Sequence, residues 1–248
     1  MFTFSEILII LLFLGGGISL ILLSIFVYRR HRSPLSKIFL LLMISCSVWI
    51  FCHLSSLVFP SRFGTLLWGR LKYFGIVTVP IAWLNFVFQY TGRGEHVNWK
   101  NNGFLLLIPI IILSALWTNE LHHLFYGEIV IEDLGGFTYF SATFGPFFWL
   151  NTAYVYVVVI GGIFLILHAL LNLHGHYWKQ VTVIAVGALT PLLGNITYIF
   201  AFSSRLDITP LFFLPASVAL AFGIREFNFL DALLIGRETV FEESSSSI

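Results

Sequence analysis

Apolar residues dominate seven stretches of this chain, and polar residues gather in the breaks between them. The stretches run from Glu6 to Tyr28, Leu35 to Val58, Gly64 to Tyr90, Asn101 to Thr118, Pro146 to Leu171, Tyr177 to Phe202 and Ile208 to Ile224. A hydrocarbon core about 30 Å thick needs about 20 helical residues to cross it, and each stretch supplies about that number. Membrane barrels also satisfy every backbone group in lipid, but their strands alternate apolar and polar positions over short segments. Continuous apolarity predicts helices. The expected fold is therefore all-α: a polytopic, seven-transmembrane helix bundle over residues 1–226, followed by a cytoplasmic exit helix and Ser-rich tail over residues 227–248.

The connections are short or moderate except one, residues 119–145. There β-branched and aromatic residues fill Glu128 to Asp133 and Phe137 to Phe144, on either side of Gly135-Gly136. That is the pattern of a β-hairpin, and an irregular loop is the other reading. Past the last stretch, Phe227, Leu230, Leu233, Leu234, Val240 and Phe241 fall near helical spacing with acids and arginines between them. They read as an amphipathic helix that leaves the membrane or lies on it.

Composition agrees with the pattern: hydrophobic residues make up 58% of the chain and charged residues 10%. No single soluble core could bury so much apolar surface. The first stretch is not a cleavable signal peptide, because its basic residues follow the apolar run instead of preceding it. Charge also gives direction. Arg29, Arg30, Arg32 and Lys37 follow the first stretch, Arg93 and Lys100 the third, Lys179 the fifth, and Arg225 and Arg237 the seventh. The alternate connections hold Arg62 and Arg205, but also Glu120, Glu128, Glu132, Asp133 and Asp207. By the positive-inside rule the N-terminus lies outside and the C-terminus in the cytoplasm. This places the chain as a multi-pass membrane protein.

Polar groups inside apolar spans mark the candidate chemistry. On this topology most sit in the outer half: Arg70, Lys72, Thr118, Asn119, His122, Asn151, Tyr154, Asn195, Tyr198 and Asp207. A cavity open to the outside and lined by aromatic faces would account for them, with Lys72 or Arg70 paired to Asp207 or to an anionic ligand. Snorkelling to the interface is the alternative for the two cations. In the inner half, Asn85 and Gln89 are the main candidates. Cys46 and Cys52 read as apolar packing residues. The adjacent His122 and His123 lack a second histidine at i+4, so no metal site is expected. No nucleotide-binding loop, nucleophile elbow or zinc-protease motif occurs, so no catalytic residue, cofactor or nucleic-acid partner is expected. The last stretch has no lysine, which removes a retinal Schiff base.

Ordered motifs add a resemblance. LKYFGIVTVPIAWLNFVFQYTG (Leu71 to Gly92) is followed by WTNELHHLFY (Trp117 to Tyr126), where Thr118, Asn119 and His122 fit a TN-x-x-H signature. FGPFFWLNTAY (Phe144 to Tyr154), TPLLGNITYIF (Thr190 to Phe200), LDITP (Leu206 to Pro210) and FNFLDALLIGRETVFEE follow in order. Together they resemble the N-terminal seven-transmembrane sensor region of bacterial and archaeal histidine kinases. The resemblance implies the membrane-embedded input module of a two-component-type system. Such a module passes an extracellular or membrane signal to a cytoplasmic kinase or similar module, in cis or in trans, with a homodimer among the assemblies it allows. Neither a phosphoacceptor box nor an ATP-binding domain follows in this sequence, so the chain itself is not expected to be an enzyme.

On this reading the signal, a small molecule or a membrane state, acts through Lys72, Trp83, Asn119, His122, Tyr154, Asn195 and Asp207. The output helix uses Phe227, Leu230, Leu234 and Phe241. A small-molecule transporter and a structural membrane partner without a ligand are the competing functions.

Overall fold

A computed structural model describes residues 2–59, 61–171, 178–200 and 207–227. Six helices in it are long and apolar enough to cross a membrane: α1 (Phe4–His31), α2 (Pro34–Val58), α3 (Arg62–Tyr90), α4 (Trp99–Trp117), then, after the one-turn helix α5 (Asn119–His122) and a hairpin, α6 (Pro146–Leu171) and α7 (Trp178–Phe200). The seventh apolar stretch differs from the other six. It is a 3-10 turn, Thr209–Phe212, that runs into the 15-residue helix α8 (Phe213–Phe227). Proline explains the break. Pro210 opens the 3-10 turn, and Pro215 falls in the first turn of α8, where its missing N–H is not needed. The protein is a polytopic membrane bundle. Side chains such as Phe4, Phe104, Val157 and Phe164 stand exposed on its helices, an arrangement suited to lipid.

Local chemistry sets the helix starts. Thr3 and Glu6 form a capping box at α1, Ser33 and Ser61 cap α2 and α3, and Asn98 caps α4. The core lies where α2 and α3 pack on each other, α1 against α2 and α6 against α3, with α8 set against α1 and α7. Gly75 permits the closest approach. A Cβ there would stand 2.5 Å from the Ser45 carbonyl oxygen and 2.8 Å from the Trp49 amide nitrogen. Packing of this kind, with backbone near backbone, is how helices hold together where lipid supplies no hydrophobic drive.

Between α5 and α6 the chain forms an antiparallel hairpin, β1 (Tyr126–Leu134) and β2 (Phe137–Phe144), with Leu134 opposite Phe137. The two-residue turn is Gly135-Gly136. Gly135 has φ +66° and Gly136 does not have a positive φ, the pattern of a type II′ turn. The turn reaches back to the first helix: the Gly136 amide donates to Glu6 Oε1 at 2.9 Å, and the Phe2 and Phe137 rings lie 5.9 Å apart. The start of α1, the end of α4 and the segment before α8 thus meet beneath the hairpin. At the opposite end, Asn85 donates to Asn102 (2.7 Å) and the Tyr90 hydroxyl to Gln180 (3.0 Å), joining α3 to α4 and to α7.

Candidate functional site

One side chain, Asn119, shapes the base of the hairpin. Asn119, 3% exposed, accepts from the amides of Phe125 (2.9 Å) and Tyr126 (3.0 Å) and donates to the Tyr126 carbonyl (2.9 Å). His122 serves the same corner. Its Nδ1 accepts from the Leu124 amide at 2.9 Å, and Nε2 lies 3.1 Å from the Thr118 hydroxyl. The TN-x-x-H residues therefore spend their hydrogen bonds on shaping the turn into the hairpin. Beneath it, Tyr126 packs edge-on against Phe125 and Phe140, and its hydroxyl lies 2.8 Å from that of Tyr73 on α3. Burial pushes the Tyr126 hydroxyl well above its usual range and keeps it neutral.

Below this aromatic layer sits a cleft of about 40 Å³ whose lining includes His53, Lys72, Asn119, Tyr126, Tyr198 and Asp207 among apolar neighbours. That is room for a few water molecules and no more. Lys72 Nζ lies 3.9 Å from Asp207 Oδ2, with the two side chains 12% and 8% exposed. Asp207 also accepts from the Thr209 amide through Oδ1 (3.0 Å), so it holds the first residue of the turn that leads into α8. His53 stands on α2, 4% exposed, against the Phe13 ring, and neither of its ring nitrogens has a hydrogen-bond partner among the described residues. Arg70 takes another course: it pairs with Glu120 and lies 5.9 Å over the Trp117 ring.

A larger, mostly apolar cavity of about 130 Å³ lies deeper, between α2, α3, α6, α7 and α8. Trp83 and Asn195 line it. Trp83 donates to the Val159 carbonyl (3.2 Å), and Asn195 accepts from the Tyr156 hydroxyl (2.9 Å). Tyr198 and Asp207 border both spaces. Tyr154 lines neither; its hydroxyl donates to the Leu105 carbonyl at 3.0 Å and ties α6 to α4.

The seven candidate residues therefore divide. Lys72 and Asp207 meet in the cleft, Trp83, Asn195 and Asp207 share the cavity wall, Asn119 and His122 build the hairpin base, and Tyr154 is a helix tie. Sequence reasoning did not find His53, Trp49 or Thr209, since a polar side chain inside an apolar run carries no mark of whether it has a partner. Of the output residues, Phe227 ends α8, while Leu230, Leu234 and Phe241 lie outside the described residues.

A protein-family model described as the N-terminal 7TM region of histidine kinase matches residues 11–233. No match is found among curated proteins.

Proposed function

The chain belongs to the N-terminal 7TM region of histidine kinase family, and from that premise we propose that it is the input module of a two-component-type system, passing an outside or membrane signal to a cytoplasmic kinase or similar module. The observation that carries this reading is the ion pair of Lys72 with Asp207. It joins α3 to the residue that holds the first amide of the turn into α8, the last described helix before the exit segment. A signal that weakens or strengthens the pair acts directly on how α8 starts. To pass information it must bind two bundle states with different affinity, and about 1–3 kcal/mol of coupling is typical.

Seven passes fit this reading. The 3-10 turn of four residues and the 15 residues of α8 reach together about 30 Å, enough for a hydrocarbon core. The connections at the hairpin end hold Arg62 and Arg205 with Glu120, Glu128, Glu132 and Asp133, while those at the other end hold Arg29, Arg30, Arg32, Lys37, Arg93, Lys100 and Lys179 with Glu95. The hairpin end then faces outward and the exit segment enters the cytoplasm of a prokaryotic cell. The transporter reading has less behind it, because Asn85 and Gln89, on which a path to the cytoplasm would depend, line neither space described above.

The test is a fusion of the full chain to a reporter histidine kinase in native membranes, with Lys72→Met and Asp207→Asn compared at matched insertion. The reading expects autophosphorylation to shift at least fivefold in both variants. Unchanged output from both at normal insertion refutes it.

A further inference from the structure

The cavity between α2, α3, α6, α7 and α8 holds an unusual combination. Most of its wall is aliphatic or aromatic, from residues such as Met43, Ile76, Val155 and Leu220. Three residues that line it also carry buried polar atoms with no hydrogen-bond partner among the described residues: Trp49 Nε1, Asn151 Oδ1 and Thr209 Oγ1. They are 8%, 6% and 1% exposed. Native proteins rarely leave such groups unpaired, because desolvation is then uncompensated. One is a donor only, one an acceptor, and the hydroxyl can be either. Two further polar residues on the wall are engaged elsewhere, Asn195 with Tyr156 and Asp207 with Lys72 and the Thr209 amide.

We propose that this cavity is a binding site for a small neutral amphiphile, with a hydrocarbon body of about six to eight carbons and a hydroxyl or primary amide head. Size follows from volume and shape: a dry cavity of about 150 Å³ admits benzene, and this one, about 130 Å³ and open on one side, holds about six heavy atoms and lets the rest of the body extend through its mouth. The head must both donate and accept to satisfy Asn151 and Trp49. Neutrality follows from the charges nearby: Asp207 is matched by Lys72, so an anionic or cationic head would enter without a counter-charge. The site deepens the sensor reading by naming a ligand class and rests on that reading only for what binding does. Binding itself is read directly below, so its failure and a failure of signal passing are told apart.

The experiment uses the full chain in lipid nanodiscs and a diazirine-bearing octanol as photolabel. Labelled peptides are mapped by mass spectrometry, and benzyl alcohol and toluene serve as competitors with the same body, with and without a head. The expected result is saturable labelling of the cavity-lining segments of α2 and α7. Benzyl alcohol should compete about tenfold better than toluene at equal bilayer concentration, the ratio that about 1.4 kcal/mol produces. Asn151→Leu and Thr209→Val, which remove unpaired polar atoms, should keep the labelling and lower that ratio, with Trp49 Nε1 left to donate to the head; an unchanged ratio overturns the proposal. Ala188→Phe, which fills the cavity, should abolish saturable labelling. Labelling that does not saturate, or that falls on lipid-facing positions such as Val157 and Phe164, means bilayer partition alone and overturns the proposal. Equal competition by toluene in the native chain means an acyl tail or other headless occupant, and overturns it too.

Discussion

Replacing Lys72 by Met leaves Asp207 without its cation in a cleft that admits only a few water molecules. At 3.9 Å, two unit charges attract by about 4 kcal/mol with an effective dielectric constant near 20. Removing one partner of a buried pair costs about 3–5 kcal/mol, chiefly because the remaining charge is stranded. Two facts place this pair at the low end of that range. The separation is at the outer edge of ion-pair contact, and Asp207 keeps the bond from the Thr209 amide. We expect Lys72→Met and Asp207→Leu each to destabilise the bundle by about 3 kcal/mol. The double variant should lose about 1–2 kcal/mol relative to the native chain, since no charge is then stranded and only the buried Thr209 amide loses its acceptor. Equilibrium unfolding in mixed micelles supplies all four corners of the cycle. A coupling energy of at least 2 kcal/mol supports the pair as a structural link between α3 and the start of α8. Single losses below about 0.5 kcal/mol that add in the double variant would show that the two charges do not feel each other, and would remove the physical basis for signal passing at this point.

Two other predictions concern the hairpin. Asn119→Ala removes three buried hydrogen bonds at about 1 kcal/mol each, so exchange of the amides from Tyr126 to Phe144 should speed about 100-fold by hydrogen–deuterium mass spectrometry, while Asn119→Asp, which keeps both acceptor contacts, should lose less. Rates that do not change would mean the hairpin is held by its aromatic contacts instead. Tyr126 predicts a pH response. Its hydroxyl titrates above the unfolded value of about 10, so the folded state prefers the neutral form; stability is complete below pH about 10 and falls as pH rises past it. Phenolate absorbance should show a late step that Tyr126→Phe removes, and a titration identical in the two proteins contradicts the burial argument.

The fold was legible because the bilayer fixes length. Six apolar runs, with Ser33, Ser61 and Asn98 before them as caps, could form little except spanning helices. The seventh shows where length alone runs short, for Pro210 and Pro215 turn one run into a 3-10 turn and a shorter helix. Gly135-Gly136 and its flanking residues left a hairpin and a loop both open. What separates them is partly distant, since Glu6, 130 residues away, accepts from the turn. The site was legible as a set of residue types and not as an arrangement. Asp207 had two candidate cations in the sequence, Arg70 and Lys72, and only packing assigns Lys72 to it and Arg70 to Glu120. Asn119 stood out as part of a motif, yet its bonds to Phe125 and Tyr126 serve to shape the base of the hairpin.

The central claim is that a change at the Lys72–Asp207 pair reaches the output through movement of α8. Ser19 on α1 and Ser217 on α8 have hydroxyl oxygens 3.5 Å apart, close enough for a cysteine pair at these positions to form a reversible lock. In membranes carrying the full chain fused to a reporter kinase, Ser19→Cys/Ser217→Cys should leave the effect of Lys72→Met on autophosphorylation intact when reduced. Oxidation should abolish that effect, and reduction should restore it. A shift of the same size in the oxidised, locked protein would show that the signal does not travel through α8.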